Sequence, residues 1–167
     1  MAGTVVKFDL RELEKLASKL SEAKNLDMPG ILEAIGVSLV SSTSQRFQIG
    51  IDPDGVPWIP SRRAATQGGK TLMDTSRLEK SVSYITYPAT GQVDVGTEVI
   101  YGRIHQEGGV INAKEGGYLH FIGAEGNHVK IKSVTIQKRA YLGINDQDGQ
   151  VIIGIVQQGI RAAFKGA

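Results

Sequence analysis

The chain has 167 residues, a net charge of +2 and no cysteine. That length suits a single compact domain, 1–167, able to bury a core unaided. The missing cysteines exclude disulfides, thiolate metal sites and thiol nucleophiles, and the weak net charge does not imply a concentrated basic face for nucleic acid.

Taken in chain order, Phe8-Asp9-Leu10-Arg11-Glu12-Leu13 reads as a helix start. Asp9 is placed to cap, Glu12 stands three residues on, and Phe8 and Leu13 are placed as a staple. Leu13, Leu16, Ala17 and Leu20 keep one face to about Lys24, so residues 1–25 carry an N-terminal helix. A second start at Asp27 tolerates Pro29 in its first turn. From there Met28, Ile31, Leu32, Ile35, Leu39 and Phe47 hold the helical period to about Gln48, where Gly50 and Pro53 stop it. Ser41 and Ser42 inside it would admit a close neighbouring helix.

Asp52-Pro53-Asp54-Gly55 is turn chemistry. Thr75-Ser76-Arg77-Leu78-Glu79 offers a further capping box and a short helix. Residues 82–87 alternate as a strand, and 92–96 return antiparallel across the turn at 88–91. A helical turn is expected over 99–106, ending at Gly108-Gly109. Residues 118–122 and 129–136 form a hairpin around 123–127, and 107–127 makes a flexible arm. The last helix spans 146–164, with Val151, Ile152, Ile155, Val156, Ile160 and Phe164 on its apolar side. This order predicts an α+β fold: a mainly antiparallel sheet packed against two or three long helices, with a protruding hairpin or loop arm.

The search for chemistry is largely negative. Gly69-Lys70-Thr71 lacks the glycine a phosphate loop needs, with Ala64 at that position. His105, His120 and His128 have no metal-ligand spacing, and Asp52 and Asp54 lack the rest of a calcium loop. No catalytic residue, metal or cofactor is therefore assigned. Residues 1–8 lack the apolar core of a secretory signal, and the run 151–156 is too short to span a bilayer, so no membrane partner is expected. Lys130 and Lys132 would share one face of a strand over 129–136, a basic contact face if the strand is regular.

One ordered series of motifs is more informative. It runs through Phe47, Asp52-Pro53-Asp54-Gly55-Val56-Pro57-Trp58, Leu72, Asp74-Thr75-Ser76-Arg77-Leu78 and Ser81-Val82. It continues with Val93-Asp94-Val95-Gly96-Thr97, Tyr101, Ile104-His105-Gln106, Gly108-Gly109 and Arg139-Ala140-Tyr141-Leu142-Gly143. Together these resemble the phage virion morphogenesis family, the tail-completion proteins of Mu-like phages and prophages, from about residue 28 to the C-terminus. There are two departures. The glycine that usually follows the threonine is Ser76 here, and the segment before Leu142-Gly143 lacks the family's two prolines.

The resemblance implies a non-enzymatic structural protein that completes the tail or joins it to the head, as a ring. It implies partners among other tail or neck proteins, and a homo-oligomer with the hexamer as one candidate. The place would be the bacterial host cytoplasm during assembly, then the tail end or the head–tail junction. The motif residues Asp54, Gly55, Trp58, Gly96, Tyr101, His105, Gln106, Gly109, Arg139, Tyr141, Leu142 and Gly143 are the candidate structural or interface positions. Gly55 would allow a turn that returns Trp58 to the core. Tyr101 and His105, four apart, would share a helical face, and Arg139 would pair with a carboxylate. Tyr141 and Leu142 would point to opposite sides of a strand. Two alternatives stand beside this reading. One is a DNA-binding or packaging accessory protein using Lys130, Lys132 and Arg139, with DNA contact that need not be specific. The other is a hydrolase using His105 with Glu107 or Asp94.

Overall fold

The computed structural model describes residues 4–9 and 26–165. Most of the expected N-terminal helix lies outside them. The backbone of Thr4–Asp9 is a strand, β1, so Phe8 and Asp9 end a strand where a helix start was expected. There follow α1 (Met28–Ile49), α2 (Arg62–Gln67), α3 (Arg77–Lys80), β2 (Ser83–Tyr87), a 3-10 turn (Pro88–Thr90), β3 (Gln92–Thr97) and α4 (Gly102–Glu107). Then come β4 (Gly109–Asn112), β5 (Leu119–Ile122), β6 (His128–Ile131), β7 (Ser133–Ile136) and α5 (Asp146–Lys165).

The fold is mixed α/β, and of the five α-helices among the described residues only α1 and α5 are long. Where one main sheet was expected, the strands form three small ones: β1-β3-β2, β4-β7 and β5-β6. The β2–β3, β4–β7 and β5–β6 pairings are antiparallel. The chain divides into two compact units, one of Met1–Thr4, Ser44–Ser81 and Thr97–Tyr141, the other of Val5–Thr43, Val82–Gly96 and Leu142–Ala167. They are called here the ribbon unit and the helical unit.

In the helical unit, α1 starts where Asp27 accepts the Gly30 amide at 3.0 Å, satisfying one of the helix's first free donors. Ile31, Leu32, Ile35 and Leu39 recur at three- and four-residue spacing and are all buried. The close approaches fall on glycines. A side chain at Gly36 would strike the Tyr84 ring of β2, and one at Gly159 of α5 would strike Ile31. Val93 and Val95 of β3 are buried in alternation. A reciprocal pair starts α5, with Asn145 accepting from the Asp148 amide (2.8 Å) and Asp148 accepting from the Asn145 amide (3.1 Å). The apolar side predicted for α5 is only partly covered. Val156 is buried, Ile152, Ile155 and Ile160 are half-buried, and Val151 and Phe164 are exposed.

In the ribbon unit, α1 ends at Gly50, whose φ of +84° is the left-handed stop that glycine adopts without strain. The capping box expected before α3 is absent. Ser76 is left-handed (φ 56°) with no side-chain cap hydrogen bond. Glu79 instead accepts from Ser44 Oγ (2.6 Å) and Gln48 Nε2 (3.3 Å) of α1. Competition for its carboxylate explains the difference. The left-handed backbone also gives a reason for the family's usual glycine here, because a Cβ at such a φ is strained.

The expected arm is longer than 107–127 and more regular. Residues 109–136 form two successive antiparallel ladders, β4 on β7 and, farther along, β5 on β6. Ala113 N–H donates to Lys132 O (2.8 Å) between them. No residue from 109 to 136 is buried. The expected strand 129–136 breaks at Lys132, where the apolar alternation slips from Val129 and Ile131 to Val134 and Ile136. Lys132 thus lies between strands, not in register with Lys130. The far turn is tied back to α2, with Gln67 Nε2 donating to Ala124 O and Arg62 paired with Glu125 at 3.3 Å.

Candidate functional site: the frame at the base of the ribbon

Both ends of the ribbon enter one packed cluster. Phe47, on the last turns of α1, is fully buried, with its ring edge-on to Trp58 (5.5 Å, 76°) and tilted on Tyr141 (5.1 Å, 45°). Each such ring buries a large apolar area, and each ring pair adds about 0.5–1.5 kcal/mol beyond that burial. Trp58 reaches the cluster through a local turn. Gly55 has φ +80°, Asp52 Oδ1 accepts the Val56 amide (2.8 Å), and Trp58 N–H donates to Gly50 O (2.8 Å). Asp52 makes this turn, whereas Asp54, singled out from the sequence, is exposed beside it. The Trp58 indole N–H then donates to Ala140 O at 2.9 Å.

Residues 137–145 contain no regular strand, and this changes the roles expected there. Tyr141 and Leu142 do not alternate between a buried and an open side. Both are buried, one in each unit. Gly96 and Gly143 belong with Leu142 to the helical unit. Arg139 was expected to meet a carboxylate. It instead donates from Nε to Ile59 O (2.7 Å), from Nη2 to Pro60 O (3.4 Å) and from Nη1 to Gln137 O (3.5 Å). A guanidinium is a planar fork of five donors, and clustered backbone carbonyls can fill it as a carboxylate would. Burial pulls its pKa down from the ordinary arginine value.

Helix α4 clamps this segment from the other side. His105 O accepts the Arg139 amide (2.8 Å), and Gln106 Oε1 accepts the Tyr141 amide (2.9 Å). Tyr101 and His105 share a face, their rings edge-on at 6.0 Å. Gly108 (φ +74°) lies against the backbone of Lys138, where a Cβ would come within 2.9 Å of its nitrogen. Gly109 follows as the first residue of β4. The ribbon therefore leaves and rejoins a cluster held by main-chain hydrogen bonds.

Three buried residues went unread in the sequence. Arg46 is 3% exposed and donates to Tyr141 O at 3.3 Å. Gly102 is buried where a Cβ would lie 2.7 Å from Thr97 and 2.8 Å from the Tyr141 hydroxyl. Thr97 is itself buried, its hydroxyl 2.6 Å from that of Ser81. No local pattern marks an arginine or glycine as buried, so periodicity could not find them.

The titrating groups are tuned by burial. Desolvation first, then the Arg139 charge, lowers the pKa of the His105 imidazole below its usual 6.5. Its Nδ1 is buried without a hydrogen-bond partner. Burial pushes the Tyr141 hydroxyl up to about 12. The Thr4 hydroxyl acts in the opposite sense, although neither hydroxyl has a hydrogen-bond partner. Glu107, the proposed hydrolytic partner of His105, is paired with Arg103 at 3.0 Å. Among the described residues no group of three or more His, Asp and Glu is placed to hold a metal ion. None of their helices is long and apolar enough to cross a membrane. On the ribbon, Lys130 stacks over the Tyr118 ring, 4.3 Å from its centroid.

What these residues build is a rigid anchorage for a two-stranded ribbon. Most of the ordered motifs that resemble a family supply that anchorage. The chain matches the Phage virion morphogenesis family over residues 8–161. No curated protein and no solved structure matches it. With the match covering most of its length and the motifs in order, the chain belongs to the phage virion morphogenesis family.

Proposed function

We propose that the protein is a non-enzymatic component that completes the tail of a virion, or joins tail to head, as a closed ring of copies. Family membership over residues 8–161 carries the assembly role. The ribbon favours the ring. A two-stranded ladder is barely stable alone in water, and its outer edges leave backbone donors and acceptors for another chain. Val110, Ile122 and Tyr118 on it are 56%, 68% and 46% exposed, apolar surface of the kind an interface covers. A head-to-tail contact repeated between identical subunits closes into a ring when its rotation permits.

Two measurements test this reading. In cells assembling the virion without this protein, electron microscopy is expected to show unjoined heads and unfinished tails, with purified protein restoring infectious particles to the lysate. Normal virions in its absence would overturn the assembly step. Light scattering after size exclusion, over a concentration series, is expected to give a closed-ring multiple of 17.9 kDa. A monomer at every concentration, with and without purified tails, would overturn the ring.

A further inference from the structure

We infer that the outward face of the β5–β6 hairpin of one copy docks into the groove between α1 and α5 of the next. This rests on the ring reading and specifies its contact.

The groove belongs to the helical unit and has a volume of about 650 Å³, lined by Asp27, Gly30, Ala34, Ile155, Gly159 and Ala162 among others. The small residues on both helices hold it open, and Ala34 and Ala162 are exposed along it. Its floor is apolar, and Asp27 contributes a negative charge. That volume suits a few apolar side chains from a partner, with one charged group to fix orientation.

The hairpin presents a matching surface. The register sets His120 opposite Lys130 and Ile122 opposite His128, so these four share one face. Tyr118 joins them beneath the Lys130 ammonium. Leu119, Val129 and Ile131, on the other face, are half-buried. The first face therefore carries two exposed apolar anchors, Ile122 and Tyr118, beside the Lys130 cation and two histidines. An isoleucine 68% exposed among polar neighbours is what a partner's pocket would bury.

Charge also differs between the two units that carry these surfaces. The ribbon unit has twelve Lys and Arg against eight Asp and Glu, and the helical unit has seven against nine. Like surfaces repel, whereas the positive unit of one copy attracts the negative unit of another. This steers association head to tail, the geometry a ring requires.

The native chain has no cysteine, so engineered ones report cleanly. Two full-length variants, Ile122→Cys and Ala34→Cys, would be mixed under mild oxidation, one carrying a mass tag. The mixed disulfide dimer is expected to form at least about tenfold faster than with Ser83→Cys, an exposed position outside the groove, because docking raises the local thiol concentration. Asp27→Asn, which keeps an oxygen to cap α1, and Lys130→Gln should each slow it, as should high salt. Equal rates for Ala34→Cys and Ser83→Cys would overturn the inference. A closed oligomer by light scattering together with equal rates would reject this surface and leave the ring standing. A monomer with equal rates would reject both.

Discussion

The frame around Tyr141 and the ribbon that leaves it occupy the same compact unit and are built on opposite principles. In the frame, the rings of Phe47, Trp58 and Tyr141 are buried together, and two arginines spend their donors on main-chain carbonyls. In the ribbon no residue is buried, and order comes from local ladders tied down at the far turn. The contrast shows a division of labour. Within this unit the frame carries the buried packing, and the ribbon holds apolar surface that folding leaves uncovered.

The sharpest way to break that contrast is to empty the frame. Trp58→Ala removes a buried ring and its bond to Ala140, and should cost about 3–5 kcal/mol in urea unfolding. Arg139→Met strands three carbonyls and should cost about 2–3 kcal/mol by the same measurement.

The pH dependence is next in size and has two arms. The folded-state pKa of His105 is lowered, so the unfolded chain takes up the proton first. Stability should be full above the ordinary value of 6.5 and be lost as pH falls below it. His105→Phe should flatten that acid arm in thermal melts. Tyr141 works at the other end, its pKa raised to about 12 from 10.0. The unfolded chain loses that proton first, so stability should fall between those two values. Tyr141→Phe, followed by urea unfolding across that range, should remove the fall.

Smaller still, Ser76→Gly relieves a left-handed backbone at the cost of extra unfolded-state freedom. A gain of about 1 kcal/mol or less is expected in the urea midpoint. The least effect belongs to the ribbon. Val110→Thr should change the stability of the single chain by no more than about 0.5 kcal/mol, since its side chain is already in water. A large loss there would mean that the ribbon is part of the core after all.

Much of the secondary structure was legible because it obeys local rules. The apolar period and the Asp27 and Gly50 signals place α1 within a residue or two of its ends, and the alternation at 82–87 and 92–96 gives the β2–β3 pair. The turn that returns Trp58 was readable from Asp52-Pro53-Asp54-Gly55. The readings that failed concern partners distant in sequence. Glu79 could not be known to leave its capping box for Ser44 and Gln48 on α1, nor Arg139 to find carbonyls eighty residues away. The β4–β7 pairing was missed because Gly109-Val110-Ile111-Asn112 is too short to show a period, and the slip at Lys132 hid where the long strand divides.

By itself the sequence determined the long helix and the order of its motifs, and through them the family, because helical periods, turn residues and motif spacing are written in neighbouring positions. Only the tertiary structure decided that most of those motifs converge on Tyr141, that Arg46 and Gly102 are buried there, and that the ribbon stays uncovered. Burial is set by what the rest of the chain brings to a side chain, and no local pattern records it.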